Sequence, residues 1–346
     1  MLNLRVNLSS YKDKEMWDEY VLNNSFSTGY HLFSWKNVIE KTFKHKTFYF
    51  SAKKDSKIVG ILPLVLMKSI LFGKFLISLP YLNYGGILAE DSEVEKALLK
   101  EAISLAKEEK VDFIELRHIE KKDYLNLKTK TSKVTFFLKL PESSEILWKS
   151  FKSKLRSQIK RAMKENMEVK FGKFEELNNF YNIFAKNMRD LGTPVYTKRF
   201  FENILKEFPE NSIICSVYYK DKAIASAFLW SFKDTLEIPW ASSIRKYNRL
   251  APNMLLYWSI LKFGCNKKFK YFDFGRCTPN TGTYKFKTQW GGEEKQLFWD
   301  YWLKDRDDLP EINPKNPKYK IFIKIWQKLP VFITKIIGPP IVKYIP

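Results

Sequence analysis

One order of elements occurs twice in this chain, and no other feature limits the possible folds as strongly. In the first half, Thr47–Ala52 is a run of β-forming residues, Lys54 and Asp55 make a turn, and Lys57–Met67 returns as a second strand. Two such runs around a turn pair read as a hairpin. Phe75–Leu79 follows as a strand and Tyr84-Gly85-Gly86 as a loop. Glu93–Glu109 is then an amphipathic helix, with Val94, Ala97, Leu98, Ile103, Leu105 and Ala106 as its apolar residues, and Val111–Leu116 is a buried strand. The second half repeats the plan. Ser212–Tyr219 and Ala223–Ser231 flank the turn Lys220-Asp221; strand Leu236–Trp240, helix Pro252–Lys267 and strand Tyr271–Phe274 follow. Local sequences agree too: SAKKDSKIVGILPL stands opposite SVYYKDKAIASAFL, and VDFIELR opposite KYFDFGR. Matching order and spacing predict two structural repeats. Hairpin, strand, helix, strand suits a mixed sheet with helices on its faces, an α/β (α+β) class.

Two helices, over Glu15–Asn23 and Phe33–Thr42, precede the first repeat. Between the repeats, Ser143–Asn166 reads as one helix. Leu147, Phe151, Leu155, Ile159 and Met163 recur every four residues and form an apolar stripe. Lys152, Arg156, Lys160 and Lys164 run beside it, with Lys149, Lys154 and Arg161 adding charge. The expected organisation is a first domain over 1–140, a second over 141–305 that begins with this basic helix, and a tail over 306–346.

That tail alternates prolines (314, 317, 330, 339, 340 and 346) with short apolar, lysine-bearing stretches. Trp326 and Tyr319 suit the headgroup zone of a bilayer. A basic amphipathic segment of this composition is expected to lie on an anionic membrane; the alternative is a terminal helix docked on the protein's own core. No uncharged apolar run reaches the ~18 residues that a spanning helix needs. The nearest, Ile321–Ile337, is interrupted by Lys324, Lys328 and Lys335.

The formal net charge of +22 argues about partners, not fold. Anionic lipid, phosphorylated substrates, coenzyme A and RNA all fit it, and so does plain lysine-rich surface. Cys215, Cys265 and Cys277 are an odd, widely spaced set, which gives no disulfide framework. His31, His45 and His118 are scattered, so no zinc pattern exists and no metal is expected. Met1–Tyr20 lacks an apolar core of the signal-peptide kind. The expected compartment is the cytoplasm.

Chemistry in a cleft of such a sheet calls for groups that move a proton, stabilise developing negative charge and hold substrates together. No Ser/His/Asp or Cys/His arrangement stands out, which weighs against a covalent enzyme intermediate. Asp273 ends a strand, where ligands collect in open α/β sheets. It can take a proton or orient an amine, or simply pair with Arg276 or cap a loop. Arg276 can grip a carboxylate or phosphate with two prongs, and Gly275 leaves room for close approach. Arg189 and Asp190 lie before a Gly-Thr-Pro helix stop; adjacent helical residues point in different directions, so one is expected to face a cleft that Tyr196 also lines. Arg245 and Arg249 precede the helix at Pro252 and can meet phosphate. Lys154 and Arg156 can meet RNA phosphates, a pyrophosphate-linked lipid or a bilayer. Tyr84 is a candidate for the acceptor side of the cleft. Cys277, with no histidine near it in sequence, is a poor nucleophile candidate.

At NMRDLGTPVY (Asn187–Tyr196) and FDFGRCTPNTGTYKFKTQWGG (Phe272–Gly292) the chain resembles the FemAB-like proteins of exosortase/PEP-CTERM and exopolysaccharide systems, relatives of the Fem peptidoglycan-bridge aminoacyltransferases. The resemblance extends through Leu62–Leu88, Ser153–Lys164, Glu237–Trp258 and Trp326–Pro346. It implies two tandem GNAT-like domains, in which a central strand parts from its neighbour and the acyl donor lies in the gap. It implies transfer of an acyl or aminoacyl group to an amine or hydroxyl, from aminoacyl-tRNA or acyl-CoA as co-substrate. The run Gly282–Gly291 matches the family's FKxxWG-type signature. By that match Lys287 would stabilise an oxyanion or phosphate, Tyr284 would donate a proton, and Trp290 would pack. GNAT enzymes hold the CoA pyrophosphate on backbone N–H groups of a glycine-bearing loop at a helix N-terminus. Here RKYNRLAPN has no glycine, which weighs against acyl-CoA.

Three readings follow. The chain is a Fem-type transferase acting on a cell-envelope or exopolysaccharide-related precursor at the inner face of the membrane, an acyl-CoA N-acetyltransferase for a sugar or small amine, or a non-enzymatic RNA- or membrane-binding protein that keeps the GNAT shell. On the first, Lys287→Ala and Asp273→Asn are expected to abolish turnover in a folded protein.

Overall fold

The computed structural model describes residues 4–69, 73–122, 125–305, 308–310 and 317–345. The chain divides into two compact units. The first holds Met1–Lys133, Gln296–Glu311 and Tyr344–Pro346; the second holds Val134–Lys295 and Ile312–Lys343.

In the first unit, strands β1 (Arg5–Leu8), β2 (Lys46–Lys54), β3 (Lys57–Ser69), β4 (Gly73–Ile77), β5 (Leu88–Ala89), β6 (Phe113–His118) and β7 (Lys128–Lys130) are interspersed with helices α1 (Lys14–Asn23), α2 (Trp35–Phe43) and α3 (Ser92–Glu108). The sheet runs β1-β2-β3-β4-β6, continues through a late strand, β15 (Phe298–Leu303), and ends on β7; β5 pairs with β3. β4 and β6 are parallel, with α3 as their crossover. Asp91 caps α3 by accepting from the Val94 backbone N–H at 2.9 Å. Val94, Leu98 and Leu105 of α3 then bury against Leu62, Leu64 and Leu66 of β3. Each such fully buried side chain contributes about 1.5–3 kcal/mol. Gly60 permits this approach: a Cβ there would sit 2.5 Å from Val94 Cγ1.

The second unit contains β8 (Val134–Lys139), α4 (Ser144–Ser150), α5 (Ser153–Met163), β9 (Met167–Gly172), α6 (Phe174–Leu191), α7 (Lys198–Glu207), β10 (Ser212–Tyr219), β11 (Lys222–Phe232), β12 (Thr235–Ser243), α8 (Pro252–Asn266), β13 (Tyr271–Asp273), α9 (Gly282–Thr288) and β14 (Glu293–Gln296). Its sheet runs β14-β8-β13-β12-β11-β10-β9. β12 and β13 are parallel, with α8 as their crossover. Leu256, Ile260 and Leu261 of α8 bury with Leu236, Phe272 and the stripe Leu147, Phe151, Leu155 and Ile159.

The repeat is visible residue by residue. Asp55-Ser56 and Lys220-Asp221 both turn through positive φ, at 48° and 68° and at 49° and 60°. Both central residues of a tight β-hairpin turn take such angles. The first turn thus sits one residue later than the expected Lys54-Asp55. Each hairpin shifts register shortly before the turn, between Ala52 and Lys53 and between Val217 and Tyr218. These pairs occupy the same place in the two sequences.

Three expectations change. The boundaries at 140 and 305 become 133 and 295, because β8 pairs with β13 while β15 pairs with β6. The basic helix is two: Phe151 leaves helical geometry with ψ 143° and inserts against Trp258 and Trp290, ring centroids 5.9 and 5.8 Å away. Met163, assigned to the apolar stripe, is exposed. In the tail, α10 (Pro317–Lys328) and α11 (Val331–Val342) pack on α6. Residues 313–316 and the Tyr319 side chain lie outside the described residues.

Candidate functional site

The second sheet opens at one place. β12 follows β13 for only three residues, Thr235–Glu237 opposite Tyr271–Asp273. It then continues along β11 to Ser243. Among the described residues, no backbone hydrogen bond joins residues 238–243 to the segment after β13. Pro239 sits at the β11–β12 register shift, where a missing N–H costs the ladder nothing. The two parallel strands therefore form a fork, and its base is Glu237 beside Asp273.

Both carboxylates point to one face. Leu236, Ile238, Phe272 and Phe274 all enter the core under α8, so the residues between them face the other side. Glu237 is 5% exposed and Asp273 1%. A carboxylate buried this far must be hydrogen-bonded. One oxygen of Asp273 accepts from Thr135 Oγ1 at 2.6 Å and from the Gly275 N–H at 2.8 Å. The second bond needs the left-handed turn of Gly275, at φ 69°.

α9 delivers a cation to the same loop. Its N-cap, Thr281, accepts from the Tyr284 N–H at 3.3 Å. One turn on, Lys287 is buried, and its ammonium donates to the carbonyls of Gly275 at 2.7 Å and Arg276 at 3.0 Å. Burial pushes its pKa down; Cys277, Asp273 and Glu237 oppose that shift, while Arg276 adds to it. Two of its three N–H donors are thus used. Arg276 is half-buried beside them.

Asp273, Lys287, Gly275 and Arg276 therefore meet in one loop. Tyr284 lies on the same short helix, with its hydroxyl donating to Glu294 at 2.6 Å and its ring against Phe136. The Glu294 carboxylate raises its pKa and keeps it protonated. Trp290 is packing, buried against Phe151, Tyr257 and Phe286.

Other candidates gather elsewhere. Arg189 and Asp190 do not diverge as expected. Arg189 Nε donates to Asp190 Oδ1 at 2.7 Å, and its Nη1 to the Leu329 carbonyl at 2.9 Å. Both lie in the last turn of α6, where Gly192 at φ 77° ends the helix and frees the side chains to fold back. Arg245 donates to the Asp190 carbonyl at 3.1 Å. Tyr196 stacks on Phe184 and packs on Phe200, which touches Trp240 of β12. It thus belongs to an aromatic layer reaching the unpaired part of β12. Arg249 is exposed, and its carbonyl accepts from Arg161 at 2.8 Å. Lys154 is exposed and Arg156 half-buried on α5. Tyr84 is buried edge-on to Tyr30 inside the first unit, so its ring serves that core.

The corresponding fork of the first unit is closed. Glu115 stands opposite Ile77, as Asp273 stands opposite Glu237. Residues 78–87 then fold back across the gap. Ser78 N–H donates to the Glu115 carbonyl, Gly86 N–H to the Arg117 carbonyl, and Ile87 N–H to His118 Nε2. Arg117 and Tyr301 hold the Glu115 carboxylate at 2.8 and 2.6 Å. Both oxygens of that carboxylate are thus engaged within the fold.

Sequence reading missed Glu237, Thr135 and Trp240. The only available signal was Glu237 as a lone acid two residues into a strand that already carries Pro239.

Residues 149–288 match the acetyltransferase (GNAT) domain family. No curated protein matches the chain. Among solved structures, FemX is similar with a TM-score of 0.68 at 14% identity, over 85% of this chain and 96% of that one. L-PGS from Bacillus licheniformis is similar at 0.56 and 11%, over 88% and 96%. A tandem GNAT protein from the clavulanic acid biosynthesis pathway gives 0.56 and 8%, over 88% and 100%. The chain has two GNAT-like domains, and the open fork lies in the one whose sequence carries the match.

Proposed function

We propose that the chain is an acyl- or aminoacyltransferase that works in its second unit by direct transfer. The observation that carries this reading is the open fork based on the buried pair Glu237 and Asp273, with the ammonium of Lys287 in the adjoining loop. The acyl donor lies along the unpaired edge of β12. An amine or hydroxyl of the acceptor gives its proton to one of the two carboxylates as its nitrogen or oxygen attacks the acyl carbon. The remaining N–H of Lys287 faces the oxyanion that forms. Collapse expels the thiolate of CoA or the ribose oxygen of tRNA. Tyr284, protonated, supplies a proton to that leaving group. Arg276, Arg245 and Arg249 supply positive charge for the donor's phosphates, and Lys154 and Arg156 extend it along α5 for a donor as large as aminoacyl-tRNA.

The resemblance to the FemAB-like branch supports a cell-envelope or exopolysaccharide-related precursor as acceptor, met at the cytoplasmic face of the membrane with the protein bound peripherally. The match to the acetyltransferase family favours a second reading, an acyl-CoA-dependent N-acetyltransferase for a sugar or small amine. Incubation of candidate acceptors with either acetyl-CoA or charged tRNA, followed by mass spectrometry, separates the two. A mass increment that depends on Asp273 supports transfer; no increment with either donor and the whole acceptor panel rejects it.

A further inference from the structure

The last two helices are docked on one side only. Thr334, Gly338 and Val342 recur every four residues along α11 and are buried. At Gly338 a Cβ would stand 3.0 Å from the Val195 nitrogen and 3.2 Å from its carbonyl oxygen, so the contact with that backbone is close. Lys335 donates to Asn182 of α6 at 2.5 Å. The joint between α10 and α11 is held by Arg189 at the Leu329 carbonyl, and Gln327 donates to the Asp190 carbonyl at 3.2 Å. These bonds fix which way each helix faces.

The outward sides are apolar. Phe332, Ile336 and Pro340 each stand two positions before a buried residue, about 200° round the helix from it. On α10, Ile321, Phe322 and Ile325 are exposed, while Ile323 packs against Gly192. Ile321, Phe322, Phe332 and Ile336 are 65% to 70% exposed. Scattered single apolar residues need no explanation, but a group of large ones on two consecutive helices does.

We propose that the outward faces of α10 and α11 are a docking surface for an anionic lipid bilayer, on which both helices lie in plane. The proposal rests on the membrane placement in the reading above and not on the reaction. Charge selects the occupant. Residues 317–345 contain six lysines (318, 320, 324, 328, 335 and 343) and no aspartate or glutamate. A second copy would bring lysine against lysine on a chain of net charge +22, whereas anionic headgroups neutralise them. Length sets the orientation. Each helix has 12 residues, about 18 Å, against a hydrocarbon core of about 30 Å. Pro339 and Pro340 remove two N–H donors inside α11, leaving carbonyls that headgroups and water can satisfy and hydrocarbon cannot.

The test is flotation of the full chain with two vesicle types, pure phosphatidylcholine and phosphatidylcholine with phosphatidylglycerol. The wild type is expected to float with the anionic vesicles about 100-fold more strongly, since each of the exposed Lys320, Lys324 and Lys328 near the surface adds a factor of about five, and high salt should weaken this. Phe322→Asp with Ile336→Asp should cut flotation at least tenfold at an unchanged melting temperature, because both side chains are exposed. Lys320, Lys324 and Lys328 changed together to Gln should remove the preference for anionic lipid. Failure of the wild type to float with either vesicle overturns the proposal, as does flotation unchanged in the Phe322/Ile336 variant. A wild-type dimer dissolved by that variant in ultracentrifugation overturns it in favour of a second copy. Vesicle binding reads the placement alone and mass spectrometry of acceptors the chemistry alone, so either can fail without the other.

Discussion

Glu237 and Asp273 stand at the same register on parallel strands, where those strands separate. Both are buried, and a lysine ammonium lies in the adjoining loop. In the proposed reaction one of the two takes the acceptor's proton. Asp273→Asn tests this without disturbing the fold, because an amide oxygen keeps the bonds from Thr135 and Gly275. Turnover should fall at least about 100-fold, with a melting temperature within about 4 °C of wild type. Glu237→Gln should behave alike. Initial rates by mass spectrometry decide it, and wild-type rates in both variants would show that the fork is not the reacting centre.

Lys287 has a second duty that its place in the signature does not reveal. Its ammonium satisfies the carbonyls of Gly275 and Arg276. Lys287→Ala would leave these two acceptors without that donor and open a void in a buried site. Each buried group left unsatisfied costs about 1–3 kcal/mol, so the variant should lose about 2–4 kcal/mol in urea unfolding. Lost turnover in Lys287→Ala is therefore expected together with lost stability, and not in a fully stable protein as the sequence alone suggests. A variant with wild-type stability would place the ammonium outside the loop.

The sequence makes the repeat legible because hairpin turns, strand runs and crossover helices are local. Turn residues at 55–56 and 220–221, and the apolar faces of α3 and α8, are set by neighbours a few positions away. What it hides is set by partners far along the chain. β8 and β15 are ordinary strand runs, and nothing local states that β8 pairs with β13 or that β15 returns to pair with β6. Phe151 fits a helical stripe, and only Trp258 and Trp290 draw it out of the helix. Asp273 and Lys287 were legible through their motif, whereas Glu237 becomes a candidate only when register sets it beside Asp273.

Glu109 accepts from Lys46 at 2.9 Å and Lys74 at 3.0 Å. The hydrogen bonds from these two ammonium groups lower its pKa from 4.5 to about 2. A carboxyl whose pKa falls on folding adds stability that is complete above its unfolded value and is lost as pH falls through the folded one. Here that window runs from 4.5 down to about 2. Glu109→Gln should lower the urea midpoint at pH 6, and the gap to wild type should shrink steadily as pH is taken down to 3. A gap that stays constant over that range would mean that the ion pairs do not link folding to pH.

The exchange of β8 and β15 makes the first repeat dependent on residues far beyond it. β15 pairs with β6 over its whole length, from Phe298 opposite His118 to Leu303 opposite Phe113. It also brings Tyr301 to Glu115 at 2.6 Å and Asp300 to His118 at 2.7 Å. A fragment ending at residue 140 would expose the β6 edge, leave Glu115 and His118 without these partners, and carry β8 with no strand to join. Each buried polar group left unsatisfied costs about 1–3 kcal/mol, and two such losses are a large part of the stability of a domain this size. The 1–140 fragment should therefore be unfolded or aggregated by circular dichroism. Residues 1–133 joined through a flexible linker to 296–311, as the compact unit is built, should melt cooperatively. Cooperative melting of the 1–140 fragment alone would show that β15 is dispensable to the first sheet.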